Sequence, residues 1–441
     1  MIISKILSRI CKPALFLSQI ILILTLGCGL APTEITIIVT TATSSPIPTI
    51  TVQAELTETQ IPVPTLTPFV PGAVIKIASH VPLSGDQADF GQDILRGTEL
   101  AVQQLSGPLN ELSYKVELVT YDDQNLAETA LENAQQVVVD PEILCGIGHY
   151  DSDITIAASD IYHQAGLAFI SPSTTDPILT DRSFLEVNRL IGRTDGQGLA
   201  AAKFAKAQGF TSFFIVSPKN DSSLNNAESF RVEAGKLGIK RLGSVISNLT
   251  DENMDQFVRM VVNAKPDVVY ISNSAHGAIP FLTKLRAAGY TGAFLGTGKL
   301  DSQSVITAAD RSLTSGGGMY YTITNPPAQY YSDAAVFIQD FYNQYGAPPD
   351  SFAARAYDAA GICLKAIEEA SKAKDGTPPT RAEVARAIRD MKDYKGITGT
   401  YNFNNHGDPN PMQYYIYQVV STDNANWDQN PVVASYEIAP P

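Results

Sequence analysis

Val74–Leu83 reads VIKIASHVPL and Tyr114–Asp123 reads YKVELVTYDD. Each is a short run of β-branched and apolar residues that ends at Pro or Asp, the pattern of a strand buried on both faces. EILCGIGH at 142–149 and GLAFISPS at 166–173 repeat it. Between these runs lie segments of helical period: Ile94, Thr98, Ala101, Val102 and Leu105, then Leu126–Val139, then Ile154–Gln164. Strand and helix in alternation predict a parallel sheet joined by right-handed crossovers.

A second series of the same kind begins after the Gly-rich break at 193–198. It runs through a helix at 199–208, SFFIVS at 212–217, a helix at 227–237, RLGSVIS at 241–247, DVVYISN at 267–273 and GAFLGTG at 292–298. After SGGGMYYTI at 315–323 come helices at 351–373 and 381–391, then two late strands, TGTYNFN at 398–404 and MQYYIYQVV at 412–420. Late strands must rejoin earlier sheets, so the pattern predicts two lobes built from discontinuous segments: 73–193 with 323–398, and 194–322 with 399–441. Open parallel sheets place ligands beyond the carboxyl ends of their strands, so two facing lobes predict a binding cleft.

The composition agrees. Of 441 residues, 44% are hydrophobic and 17% charged, as in a chain that folds around a core. That length exceeds what one hydrophobic core usually organises. With 31 Lys and Arg against 45 Asp and Glu, the formal charge is −14, which provides no electrostatic footprint for nucleic acid.

Before the first strand the chain is of another kind. Lys5, Arg9 and Lys12 precede the apolar run PALFLSQIILILTLG, which ends at Gly27-Cys28. The run is shorter than the roughly 20 apolar residues that span a bilayer, and reads as a secretory signal over 1–27. Leu24-Thr25-Leu26-Gly27-Cys28 resembles a bacterial lipobox, which makes Cys28 the expected site of lipidation and the lipid the expected membrane anchor. The segment 28–72 is rich in Thr and Pro and has no Lys or Arg, the composition of an extended tether. An extracytoplasmic location follows.

No catalytic constellation is legible. His80, His149, His163, His276 and His406 show no metal-ligand spacing, and most read as surface or loop residues. There is no GxSxG elbow, and Cys145 and Cys363 read as core thiols in apolar surroundings. GTGK at 296–299 lacks the first glycine and the final hydroxyl of a phosphate-binding loop, those places being Ala293 and Leu300. Asp122 and Asp123 read as a strand end opening a turn. No enzyme, metal or cofactor is expected. Two loops suit binding instead: GHYDSDIT, where Ser152 stands at the start of a helix, and ISPSTTDP, where Ser173, Thr174 and Thr175 follow a strand. Hydroxyls beside a helix amino terminus can hold a carboxylate, although the same residue types also serve as ordinary helix caps.

These residues resemble the periplasmic leucine/isoleucine/valine-binding protein family, the substrate receptors of branched-chain amino acid ABC transporters. The likeness runs from about Ile75 to Val420, with PLSG at 82–85, YDD at 121–123, ASDIY at 158–162, ISPS at 170–173 and RAYDAAGICLKAIEEA at 355–370 in that order. The resemblance implies a type I periplasmic binding protein: α/β, two Rossmann-like lobes joined by three hinge strands, closing on a small ligand. It implies carboxylate contacts at Ser152, Thr174 and Thr175, with Ser173 and Tyr150 beside them, and an aromatic pocket wall at Phe90. The family's contacts to the ligand's ammonium fall near Ser222, Ala275, and Gly298 with Lys299, where no acidic residue stands. Either Asp151, Asp153 or Asp221 substitutes, or the ligand carries no ammonium. The family's disulfide positions match Asn125 and Asp151, so no bridge is expected there. The implied protein is a monomer that delivers an amino acid or related carboxylate to an ABC permease. A sensor of the same fold, acting on a signalling partner, is the alternative.

Overall fold

The computed structural model describes residues 72–272, 274–301, 314–421 and 430–440, all within one compact unit, Gln60–Pro441. The apolar run, Cys28 and the Thr/Pro-rich segment up to residue 71 lie outside the described residues. Among the described residues no helix is long and apolar enough to cross a membrane.

The first sheet is built from β1 (Val74–Val81), β2 (Lys115–Asp122), β3 (Ile143–Gly148), β4 (Ala168–Ser171) and β5 (Val187–Arg189), in the order β2-β1-β3-β4-β5, with every pairing parallel. Alternation in β1 sends Ile75 and Ile77 to one core and Ala78 to another on the opposite face, so both faces are buried. The helices Ala88–Leu105 and Ala353–Lys372 pack on the first of these faces. Their closest approach is at Gly97, where a Cβ would stand 2.1 Å from the Ala353 carbonyl oxygen. Glycine is therefore required there by contact.

The second sheet takes β6 (Ser212–Ser217), β7 (Lys240–Ile246), β8 (Val268–Ile271), β9 (Ala293–Thr297), β10 (Met319–Ile323), β13 (Met412–Gln418) and β14 (Val432–Ile438), in the order β14-β13-β10-β9-β8-β6-β7. Five of these strands run parallel; β13 and β14 are antiparallel additions at one edge. The sheets thus give the mixed α/β, two-lobed architecture expected from the alternating runs.

The chain crosses between the lobes after β5, after β10 and before β13. Arg355, buried in the helix Ala353–Lys372, gathers these crossings: it donates to the Leu190 carbonyl, to the Thr324 carbonyl (2.8 Å) and to the Tyr401 hydroxyl (3.3 Å).

Several expectations are corrected. TGTYNFN does not join either large sheet: only β12 (Thr400–Tyr401) is extended, and it pairs with β11 (Tyr394–Lys395) in a separate two-stranded ladder. Tyr401 and Phe403 instead bury their rings in the first lobe's core, which holds this segment away from the sheets. Cys145 and Cys363 are core residues but not thiols; they form a disulfide between β3 and the helix Ala353–Lys372, with Cα atoms 6.0 Å apart. Burial of both in one cluster brought together residues 218 positions apart, a pairing that spacing does not encode. Among the histidines, His163, His276 and His406 are exposed as expected, but His80 and His149 are wholly buried. His149 Nδ1 lies 2.6 Å from Asp123 Oδ2, its Nε2 lies 3.0 Å from the Tyr162 hydroxyl, and His80 packs among Tyr121, His149 and Tyr162. Asp122 does close its strand, accepting from Leu83 N and Ser84 Oγ.

Candidate functional site

The carboxyl ends of both parallel sheets open onto one cleft of about 520 Å³. From the first lobe it is lined by Asp151, Ser152, Asp153, Thr175 and Asp176. β3 ends at Gly148, whose φ of +133° and whose approach to the His80 carbonyl, 1.9 Å from a would-be Cβ, exclude other residues. The chain then turns into the helix Ser152–Gln164, with Asp151 as its cap, its carboxylate accepting from Asp153 N at 2.9 Å. Ser152 is the first residue of that helix, where unpaired N–H groups and a partial positive charge converge.

After β4, the ISPSTTDP loop is fixed from within. Ser173 Oγ lies 2.8 Å from the carbonyl oxygens of both His149 and Tyr150. Thr174 is fully buried: its hydroxyl donates to Thr155 Oγ1 (2.7 Å) and accepts from Ser171 Oγ (2.9 Å), while Arg189 donates to its carbonyl. This clamp leaves Thr175 as the hydroxyl of the loop that reaches the cleft. There it lies 3.1 Å from Thr194 Oγ1, and Thr194 N donates to its carbonyl at 2.8 Å, so the first crossing is tied to the site.

The second lobe supplies Thr194 and Gln197 from the start of the helix Thr194–Ala207, Ser223 and Asn226 from the helix Asp221–Lys236, and Ser272 just after β8. Thr297, Gly298 and Lys299, at the end of β9, complete the wall. Burial in the cleft holds the Lys299 ammonium below its ordinary pKa. The first-lobe wall is thus acidic, through Asp151, Asp153 and Asp176, and among the described residues of the lining the cation is Lys299.

The residues singled out from sequence divide three ways. Asp151, Ser152, Thr175, Gly298 and Lys299 meet in the cleft, as does Asp153. Ser173 and Thr174 stand behind it as supports. Phe90 and Tyr150 stack on each other, ring centroids 4.9 Å apart with Phe352 edge-on to both, and do not line the cleft; burial and neighbouring carboxylates push the Tyr150 phenol up to about 12. Ala275 is buried at the start of the helix Ala275–Ala287, outside the lining; Asp221 and Ser222 open the helix Asp221–Lys236, and their side chains are not described. Asp176, Thr194, Gln197, Ser223, Asn226, Ser272 and Thr297 were missed by sequence reasoning. A usable signal existed, since each sits at a strand's carboxyl end or in the loop and helical turns that follow. Among the described residues no group of three or more His, Cys, Asp or Glu could hold a metal ion.

Two packed lobes whose strand ends bring hydrogen-bonding groups to one cleft form a site suited to enclosing a small polar molecule. The chain belongs to the periplasmic binding protein family, whose model matches residues 74–425. It is 25% identical over 347 residues to the Leu/Ile/Val-binding protein homolog 2 of Brucella abortus, covering 78% of this chain and 90% of that one. The ABC transporter substrate-binding protein of Desulfitobacterium hafniense, solved in complex with Leu, superposes with a TM-score of 0.65 at 24% identity, covering 79% of this chain and 98% of that one. A solute-binding protein of an ABC transporter from R. palustris, solved with benzoate, gives 0.61 at 21% identity, covering 83% and 97%. The family is one of binding proteins, not enzymes, and it is extracytoplasmic.

Proposed function

We propose that the protein is a lipid-anchored substrate-binding protein of an ABC importer, which captures a small carboxylate-bearing ligand, an amino acid or a relative of one, by closing its cleft. The observation that carries this reading is the convergence of Ser152, at the start of the helix Ser152–Gln164, and the Thr175 hydroxyl on one wall of a cleft between two sheets. Such a helix terminus with a flanking hydroxyl suits a carboxylate. Asp151 or Asp153, beside it in the lining, would receive an ammonium. The first lobe, built on β1–β5 with the helix Ala353–Lys372 and the chain through Phe403, and the second, built on the seven-stranded sheet, would rock about the three crossings, and ligand contacts with both walls would favour the closed form.

Lipid on Cys28 and the Thr/Pro-rich segment would hold a monomeric receptor off the membrane for delivery to a permease. The named ligands of two structural neighbours, Leu and benzoate, are both carboxylates, one with an ammonium and one without. A thermal-shift screen of amino acids, their amides and ammonium-free carboxylates tests the reading. A ligand at 100 times its dissociation constant adds about 2.7 kcal/mol to folding stability. Stabilisation by at least one carboxylate is expected; a folded protein that no carboxylate stabilises overturns the proposal. Cys28→Ala should abolish incorporation of a labelled fatty acid.

A further inference from the structure

Among the described residues the cleft is lined by small hydroxyl, amide and charged side chains, and no Val, Leu, Ile, Met, Phe, Tyr or Trp lines it; the Thr175, Thr194 and Thr297 methyls are its apolar groups. Phe90, expected from the family resemblance to wall the pocket, and Tyr150, which precedes Asp151, are occupied with each other and with Phe352.

The second-lobe wall is instead built of buried polar groups whose protein partners can be counted. Asn226 is committed at both ends, its Nδ2 donating to the Thr194 carbonyl (2.9 Å) and its Oδ1 accepting from the Tyr270 hydroxyl. Ser272 lies 2.9 Å from Ser217 Oγ and 3.0 Å from the Ser223 carbonyl. Gln197 is different. Its Oε1 accepts from Thr322 Oγ1 (2.8 Å) and faces Gly298 N (3.5 Å), and because a backbone N–H only donates, this fixes which end is the oxygen. Its Nε2 has no protein acceptor among the described residues, although Gln197 is only 8% exposed. Ser223, 2% exposed, likewise has no protein partner for its Oγ among the described residues. Both residues line the cleft and neither atom is buried outright, so these donors face the solvent of the cleft, and a molecule enclosed there on closure takes the place of that water. Lys299, on the same wall, adds a positive charge.

We infer that the ligand presents an oxygen-bearing polar group, a second carboxylate, a carboxamide or a hydroxyl, to Gln197, Ser223 and Lys299, and that the site discriminates against an aliphatic side chain of the same shape. This rests on the proposed function for the other end of the ligand. A site with buried donors rejects an isostere that cannot pair them, because closure would strip the donors of water without replacement.

Calorimetric titration of the full-length protein with isosteric pairs tests this: threonine against valine, asparagine and aspartate against leucine, and succinate against 4-methylpentanoate. In the pair that binds best, the polar member should bind at least tenfold more tightly. Gln197→Met should shrink that ratio to below about threefold, with Ser223→Ala as an independent variant and thermal unfolding as the check on folding. An aliphatic member that binds as tightly as its polar partner, or tighter, overturns the inference while leaving the carboxylate reading in place. A ratio unchanged in both variants also overturns it. Failure of every member of every pair overturns both readings together.

Discussion

Arg189 Nε lies 3.0 Å from Asp408 Oδ1, and both side chains are completely buried. Arg189 ends β5, at the first crossing between the lobes, and Asp408 precedes β13, at the third. Thr180 Oγ1 donates to the same carboxylate at 2.7 Å, and Arg193 stands 3.5 Å from its other oxygen. Removing the Asp408 charge leaves the Arg189 guanidinium without a carboxylate partner in a dry site, which typically costs about 3–5 kcal/mol, whereas Arg193 keeps Asp181 and Asp195. Asp408→Asn keeps the shape and removes the charge, so urea unfolding should show a loss of that order. A loss under about 1 kcal/mol would mean that the Thr174 and Asp176 carbonyls around Arg189 suffice.

His80 makes the opposite prediction. It is fully buried, neither ring nitrogen has a protein partner, and burial together with nearby His149 holds its pKa well below the ordinary value. The unfolded chain therefore binds a proton near pH 6.5 that the folded chain refuses. Stability contributed by neutral His80 is fully present above that pH and declines as pH falls through and below it, by up to about 1.4 kcal/mol per pH unit. In His80→Phe the flat ring can still stack on Tyr121 and the unpaired nitrogens are gone. Its unfolding free energy should match or exceed wild type at pH 7.5, and the difference should widen in the variant's favour toward pH 5. Parallel stability curves across that range would show that His80 takes up a proton in the folded chain as readily as in the unfolded one.

The alternation of strand and helix was readable because strands buried on both faces are continuous apolar runs, such as VIKIASHV, with turn residues at each end. The two loops that line the first-lobe wall of the cleft were readable for the same reason, since the ends of those runs mark where a cleft opens. What escaped was everything that depends on distant partners. Thr174 and Thr175 are adjacent and chemically alike, yet Arg189, Ser171 and Thr155 bury one and leave the other in the cleft. Nothing local separates them. Ser272 and Thr297 are single hydroxyls at strand ends and become a wall only when β8 and β9 lie side by side. The pairing of Cys145 with Cys363 likewise exists only once the helix Ala353–Lys372 covers β3.

That disulfide carries a stability prediction. It closes a loop of 218 residues, and long loops lose the most unfolded-state entropy when cross-linked, giving an upper figure of about 5 kcal/mol in the chain-entropy model. Because both sulfurs lie in an apolar core, Cys363→Ala should retain the fold while lowering Tm, and denatured wild type should refold to a lower Tm in the presence of reductant. Equal Tm values for oxidised wild type and Cys363→Ala would show that the bridge adds no stability.

Ser152 and Thr175 give the sharpest test of how a ligand is held. Hydrogen bonds to a charged group contribute about 1.5–3 kcal/mol each, so Ser152→Ala with Thr175→Ala should weaken carboxylate binding by several kcal/mol. Thr175 also contacts Thr194, so part of its effect could come from loosening the first crossing. Thermal unfolding of the ligand-free protein separates the two contributions, since a loosened crossing lowers Tm without ligand whereas a lost ligand contact does not. Large loss of binding at unchanged Tm in Thr175→Ala places the hydroxyl on the ligand; a matching fall in Tm places it on the crossing. If the double variant binds with wild-type affinity, the carboxylate is held elsewhere, and the acidic wall formed by Asp151, Asp153 and Asp176 faces a different part of the ligand.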